Sequence, residues 1–210
     1  MRTMLVTLMA IIFGLLATPA HAEKPADTPR IVAFGDSITE GVGTHNPDRE
    51  SWPALIGAKR VARAGGCLVT EGCFGRNAAI GTYDRRVLPK RPDAVIVAYG
   101  INDLISGASS TPEIVKGIRS LVRENRALGI KTYVATVTPV RMEIDFDPTR
   151  VEFNKAVRAA FPADQIIDFD RALVGPNGNL PHRFDSGDGI HPNGAGYRVM
   201  ARTAASVIGN

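Results

Sequence analysis

The sequence predicts an α/β domain, a three-layer α/β/α sandwich with a central, mostly parallel sheet. Two observations predict it. Short, nearly continuous apolar runs recur along the chain, and segments of helical periodicity separate them without internal repeats or low-complexity linkers. Strands apolar on both faces belong to a sheet covered by helices on both sides. In such sheets sites gather beyond the carboxyl ends of the strands, so the residues just after each run matter most.

The chain opens with Met1-Arg2, an apolar stretch over 5–17 broken only by Thr7, and Ala20-His21-Ala22. A positive start, a short apolar run and an A-x-A site form the layout of a secretory signal peptide, with cleavage expected after Ala22. The run is short for a membrane span. An uncleaved anchor or a buried helix is the other reading of 1–22. The polar, proline-rich segment 23–29 reads as the flexible start of a mature chain, and 30–210 as one domain. No Cys follows the cleavage site to carry a lipid anchor. The expectation is a periplasmic or secreted protein with no membrane span once the signal is removed.

The first strand is 31–34, Ile-Val-Ala-Phe, ending at Gly35. A helix is expected over 52–64, with Ser51 as N-cap and Pro53 in its first turn. The segment 65–81 is hardest to read, because glycines and cysteines interrupt any strand pattern. A second apolar run covers 94–99 and stops at Gly100. Thr111-Pro112-Glu113 then opens a helix with Ile114, Val115, Ile118, Leu121 and Val122 at helical spacing, ended by Gly129. A β-branched strand at 131–137, a helix at 148–160, a strand at 165–169 and a closing helix at 195–208 complete the domain.

Lys and Arg number 25 against 21 Asp and Glu, a formal charge of +4. The cations are scattered among acids and form no basic stripe, which speaks against a nucleic-acid partner. Cys67 and Cys73 are the two cysteines. Their spacing fits no common zinc pattern, and they read as a small structural disulfide or as two free thiols.

Three motifs stand after strands or before the last helix: Gly35-Asp36-Ser37-Ile38-Thr39, Gly100-Ile101-Asn102-Asp103 and Asp188-Gly189-Ile190-His191-Pro192. Singly each is weak. Together, in this order, they resemble the SGNH branch of the GDSL hydrolases, over nearly the whole chain from Gly35 to the final helix. The resemblance implies a flavodoxin-like sheet and an esterase, lipase-like or thioesterase activity.

The chemistry can also be argued from the residues. A serine hydroxyl needs a neighbouring base, and that base needs an acceptor to orient it. Signal cleavage removes His21 and leaves His45, His182 and His191. Asp188 lies three residues before His191, close enough to reach its ring, and the family has the same D-x-x-H arrangement. Ser37 is therefore the candidate nucleophile, His191 the base and Asp188 its orienter; the bland readings are a helix cap, a pre-helix residue and a loop acid. The order and the absence of G-x-S-x-G separate the chain from ordinary α/β-hydrolases.

An acyl-transfer site also needs donors for the oxyanion. The Ser37 N–H is one. Asn102 matches the family's oxyanion asparagine, against a turn residue as the plain reading. The resemblance adds a glycine N–H, best matched by Gly81, with Gly75 as the alternative. Trp52 reads as a core or site-wall aromatic, His45 and His182 as loop residues near the site, and Met142, Ile144 and Phe146 as a border of the substrate pocket or as loop packing.

No cofactor or metal is expected. The substrate expected is a small-molecule or carbohydrate ester with a short acyl group. The other readings are an O-acetyltransferase on cell-envelope polysaccharide and a binding module without catalysis. Neither the natural ester nor the oligomeric state is legible.

Overall fold

A central sheet of five parallel strands runs in the order β2-β1-β3-β4-β5 in the computed structural model, which describes residues 29–142 and 146–209. β1 (Ile31–Gly35) pairs with β2 (Lys59–Ala62) on one side and with β3 (Ala94–Ala98) on the other, in register Gly35 to Ala62 and Gly35 to Ala98. β4 (Lys131–Ala135) and β5 (Ile166–Ile167) extend the sheet beyond β3. The chain winds outward from β1 in one direction and from β3 in the other. The gap between the carboxyl ends of β1 and β3 is the switch point where α/β sheets place their ligands.

Nine α-helices complete the described residues. Four-residue helices α1 (Ser37–Glu40), α2 (Pro47–Glu50) and α3 (Trp52–Leu55) link β1 to β2, and α4 (Tyr83–Arg86) precedes β3. α5 (Ile101–Ser106) and α6 (Thr111–Ala127) lead to β4, and α7 (Asp147–Ala160) leads to β5. α8 (Phe169–Leu173) and α9 (Gly194–Ile208) close the chain. α6 packs on β4 and α7, whereas α9 packs on α3, α8 and β5. Right-handed crossovers put these two helix groups on opposite faces, giving the expected three layers.

The core follows from the apolar runs. Val32, Phe34, Val95, Ile96 and Val134 are buried in one apolar core with Ile114, Ile118 and Leu121 of α6. Trp52 is fully buried, its ring 5.2 Å from that of Phe169. A polar network joins α7 to α8. Buried Arg150 contacts Asp170 and donates to Asp147, while Arg158 donates to Asp168 at 2.7 Å and to Asp170 at 2.8 Å.

Two expectations on local structure are corrected. The helix expected over 52–64 stops at Leu55, because Gly57 turns the chain with φ of +68°. Lys59-Arg60-Val61-Ala62 then forms edge strand β2, with Lys59 exposed and Val61 buried, a half-buried pattern charged on its outer side. The last strand is cut to Ile166–Ile167, since the Asp168 carboxylate caps α8 by accepting the Arg171 N–H. The expected signal peptide and Ile144 lie outside the described residues. No helix among the described residues is long and apolar enough to cross a membrane.

Candidate active site

β1 delivers its last residues straight into a tight turn. Gly35 is required there: a Cβ would lie 2.7 Å from the Ala98 carbonyl oxygen and collide with Thr39. Asp36 is buried and its carboxylate accepts the Ile38 N–H at 3.0 Å, capping α1. Burial pushes the Asp36 carboxyl up to about 7, partly opposed by that N–H and reinforced by Asp103. Ser37 follows as the first residue of α1, with 8% of its surface exposed.

His191 reaches Ser37 from the loop before α9. Its Nε2 lies 2.9 Å from Ser37 Oγ, and its Nδ1 lies 2.6 Å from Asp188 Oδ2. The other Asp188 oxygen accepts the backbone N–H groups of Ile190 at 2.9 Å and His191 at 2.8 Å. Partial burial alone would raise the Asp188 pKa, but the two N–H groups and the His191 ring outweigh it and hold the carboxyl at about 2. Asp188 thus stays ionised and fixes the tautomer with hydrogen on Nδ1, which leaves Nε2 to accept from Ser37. The loop is braced from β4's side. Arg141 donates to Asp185 at 2.5 Å, its N–H donates to the Gly189 carbonyl at 2.6 Å, and Asp185 accepts the Gly187 and Gly189 N–H groups.

Asn102 stands in the first turn of α5, after β3. Its Nδ2 donates to the Gly66 carbonyl at 2.9 Å, which uses one of its two hydrogens and orients the amide. The adjacent Asp103 is fully buried. Its carboxylate accepts the N–H groups of Leu68, Val69 and Thr70 at 2.7, 2.9 and 3.2 Å and faces the Thr70 hydroxyl. The segment after β2 is therefore pinned to the segment after β3. Cys67 and Cys73 form a disulfide in this segment, with their Cα atoms 5.9 Å apart.

These elements enclose a cleft of about 330 Å³ whose walls include Ser37, His191, Asn102, Gly65, Ile101 and Phe74. Gly65 follows β2, beside β1, and this is the glycine the structure places with Ser37 and Asn102. Gly81 is not brought there: it lies exposed in a 3-10 turn, Ile80–Thr82, before α4. Gly75 does not line the cleft either. The reason is β2, since reading 59–62 as helix hides the glycine that comes directly after a strand neighbouring β1. His45 is exposed on the α1–α2 loop, and His182 contacts Arg141. Met142 and Phe146 pack against or within the core and do not line the cleft.

The arrangement holds a hydroxyl, an imidazole and an ionised carboxylate in series, with amide donors beside them. The sequence model of the GDSL-like lipase/acylhydrolase family matches residues 33–199, four-fifths of the chain and all three motifs. The chain belongs to this family. Solved structures agree on the fold of this GDSL-like protein. A GDSL-like lipase from Bacteroides thetaiotaomicron has 23% identity and a TM-score of 0.71, covering 86% of this chain and 88% of that one. A member of the lipolytic protein G-D-S-L family from Veillonella parvula has 21% identity and a TM-score of 0.67, covering 86% and 98%. A variant of an acetyl-xylooligosaccharide esterase from Geobacillus has 18% identity and a TM-score of 0.63, covering 87% and 94%. No curated protein matches the sequence.

Three residues that line or brace the cleft escape a reading of the sequence: Gly65, the loop anchor Asp103 and the brace Arg141. Asp103 carried a signal, since an acid directly after Asn102 at a strand end is well placed to collect N–H groups. Arg141 carried none.

Proposed function

We propose that this GDSL-family acylhydrolase is an exported serine ester hydrolase acting through Ser37, His191 and Asp188. The observation that carries the reading is the 2.9 Å separation of Ser37 Oγ and His191 Nε2, with Asp188 on the opposite ring nitrogen. As Ser37 Oγ attacks an ester carbonyl carbon, His191 Nε2 takes its proton and Asp188 stabilises the imidazolium. The negative charge forming on the carbonyl oxygen is met by the Ser37 N–H, the Gly65 N–H and the second hydrogen of Asn102 Nδ2. Such a donor contributes about 3 kcal/mol when aimed at the developing charge. His191 then protonates the leaving alcohol. Water, deprotonated by the same imidazole, releases the acyl group from Ser37.

The substrate proposed is an ester whose acyl part enters the cleft beside Ser37, with the alcohol part left toward solvent. Export is supported by the signal-like segment 1–22 and by the Cys67–Cys73 disulfide, which suits an oxidising compartment. The test is hydrolysis of p-nitrophenyl acetate, butyrate and octanoate by the mature protein, with and without chelator, beside Ser37→Ala. Chelator-resistant turnover lost in the variant is expected. Turnover surviving in Ser37→Ala would refute the nucleophile, and product going to an added sugar in preference to water would identify an acetyltransferase.

A further inference from the structure

Phe74 stands out among the large apolar side chains, because 59% of its surface is exposed while it borders the cleft that holds Ser37 and His191. Its backbone lies in the left-handed region at φ 47°, a conformation that residues with a Cβ adopt rarely. Such a residue persists where its surroundings fix it, and functional sites are where it is found.

The surroundings here fix it from both sides. Cys73, its neighbour, is bonded to Cys67, and the Arg76 N–H donates to the Cys73 carbonyl at 2.9 Å across a tight turn. The Cys73 sulfur rests 3.9 Å from the Asn102 carbonyl oxygen. Leu68, Val69 and Thr70, inside the disulfide loop, are held by Asp103. The Glu71 carboxylate accepts the Ala78 N–H at 3.1 Å, closing the far side of the turn. An aromatic ring is thus presented to solvent on a braced loop, where folding alone would bury it. Apart from Ser37, Asn102 and His191 the cleft is apolar, with Val42, Ile101, Ile105 and Ile190 sharing its walls with Phe74.

We infer that Phe74 is a specificity-determining residue, forming with these side chains the subsite for an unbranched acyl chain longer than acetyl, and that the Cys67–Cys73 disulfide holds it in place. The inference rests on the proposed ester hydrolysis at Ser37 for its kinetic consequence. An acetyl group on Ser37 fills little of about 330 Å³, so it leaves the outer wall untouched, whereas a longer chain covers it. Phe74 therefore discriminates between esters by chain length and takes no part in the bond-breaking steps.

The test compares wild type, Phe74→Ala, Phe74→Leu and the double variant Cys67→Ser/Cys73→Ser on p-nitrophenyl acetate and octanoate. Alanine keeps the Cβ and hence the backbone preference, so only the ring is removed. Octanoate kcat/KM is expected to fall about tenfold in Phe74→Ala, with acetate within about twofold and leucine recovering most of the loss. The cysteine variant should give the same chain-length profile as Phe74→Ala. A second measurement is free of turnover: calorimetric titration of decanoate into Ser37→Ala, with and without Phe74→Ala. Binding about tenfold weaker without the ring is expected. Equal kinetic effects on both esters, or unchanged decanoate affinity, overturn the subsite. Should the wild type hydrolyse no ester, the hydrolase reading fails, and the decanoate titration alone decides the role of Phe74.

Discussion

Asn102 Nδ2 donates to the carbonyl of Gly66 at 2.9 Å, joining the loop after β3 to the loop after β2. This bond sets two things at once. It turns the Asn102 amide so that its second hydrogen is free, and it fixes the turn that carries Gly65 to the side of Ser37.

Replacement of the two candidate glycines separates their roles. Gly65 has φ of +67°, so alanine there strains the backbone and displaces its N–H, while Gly81 faces open space at an ordinary φ. Gly65→Ala should lose about 100-fold in kcat, the scale of one oxyanion donor, and Gly81→Ala should stay within about twofold. Steady-state kinetics on one activated ester checks both, and the reverse ranking would restore Gly81.

Asp188→Asn should leave the fold intact and lower kcat by about 10²–10⁴-fold, because the amide no longer enforces the Nδ1–H tautomer or stabilises the imidazolium. The pH dependence has a definite sign. The carboxyl is lowered from 3.8 to about 2 on folding, so its contribution to stability is complete above 3.8 and is lost as pH falls through about 2. The difference in melting temperature between wild type and Asp188→Asn should shrink over that window. Because the side chain is 49% exposed, solvent screening keeps the difference small.

Asp36 has the opposite sign. Burial raises its pKa from 3.8 to about 7, so the unfolded chain releases this proton first, and the fold loses stability as pH rises between these values. Asp36→Asn keeps an acceptor for the Ile38 N–H and cannot ionise. Its melting temperature should gain on that of the wild type from pH 4 to pH 7. A constant difference across that range would show that Asp36 ionises as freely in the fold as outside it.

Arg150 and Asp170 are both buried between α7 and α8. Arg150→Met leaves the Asp170 carboxylate with Arg158 as its remaining cation and should cost about 2–3 kcal/mol in urea unfolding, below the cost of a wholly unpaired buried charge. The double variant Arg150→Met/Asp170→Leu should recover part of that loss, since it removes the under-compensated carboxylate.

The apolar runs at 31–34, 94–99 and 131–137 made the parallel sheet legible, because strands buried on both faces need no partner to be recognised. The serine, histidine and aspartate were legible because their motifs stand at element ends, where little else explains Gly35-Asp36-Ser37 beside Asp188-Gly189-Ile190-His191. β2 was not. Lys59-Arg60-Val61-Ala62 is a short edge strand with one buried position, and Pro53 ahead of it suggested a helix that Gly57 ends early. With β2 went Gly65, the glycine that lines the cleft with Ser37 and Asn102. Phe74 and Arg141 depend on tertiary contacts spanning distant parts of the chain, and no local pattern announces them.

The most direct measurement of the central claim is the intact mass of the protein during turnover of a slowly deacylated p-nitrophenyl ester, followed by peptide mapping. The predicted result is a burst of p-nitrophenol and one acyl group per chain, located on the peptide containing Ser37 and absent in Ser37→Ala. Turnover without an acylated intermediate, or an acyl group mapped to another residue, would contradict it.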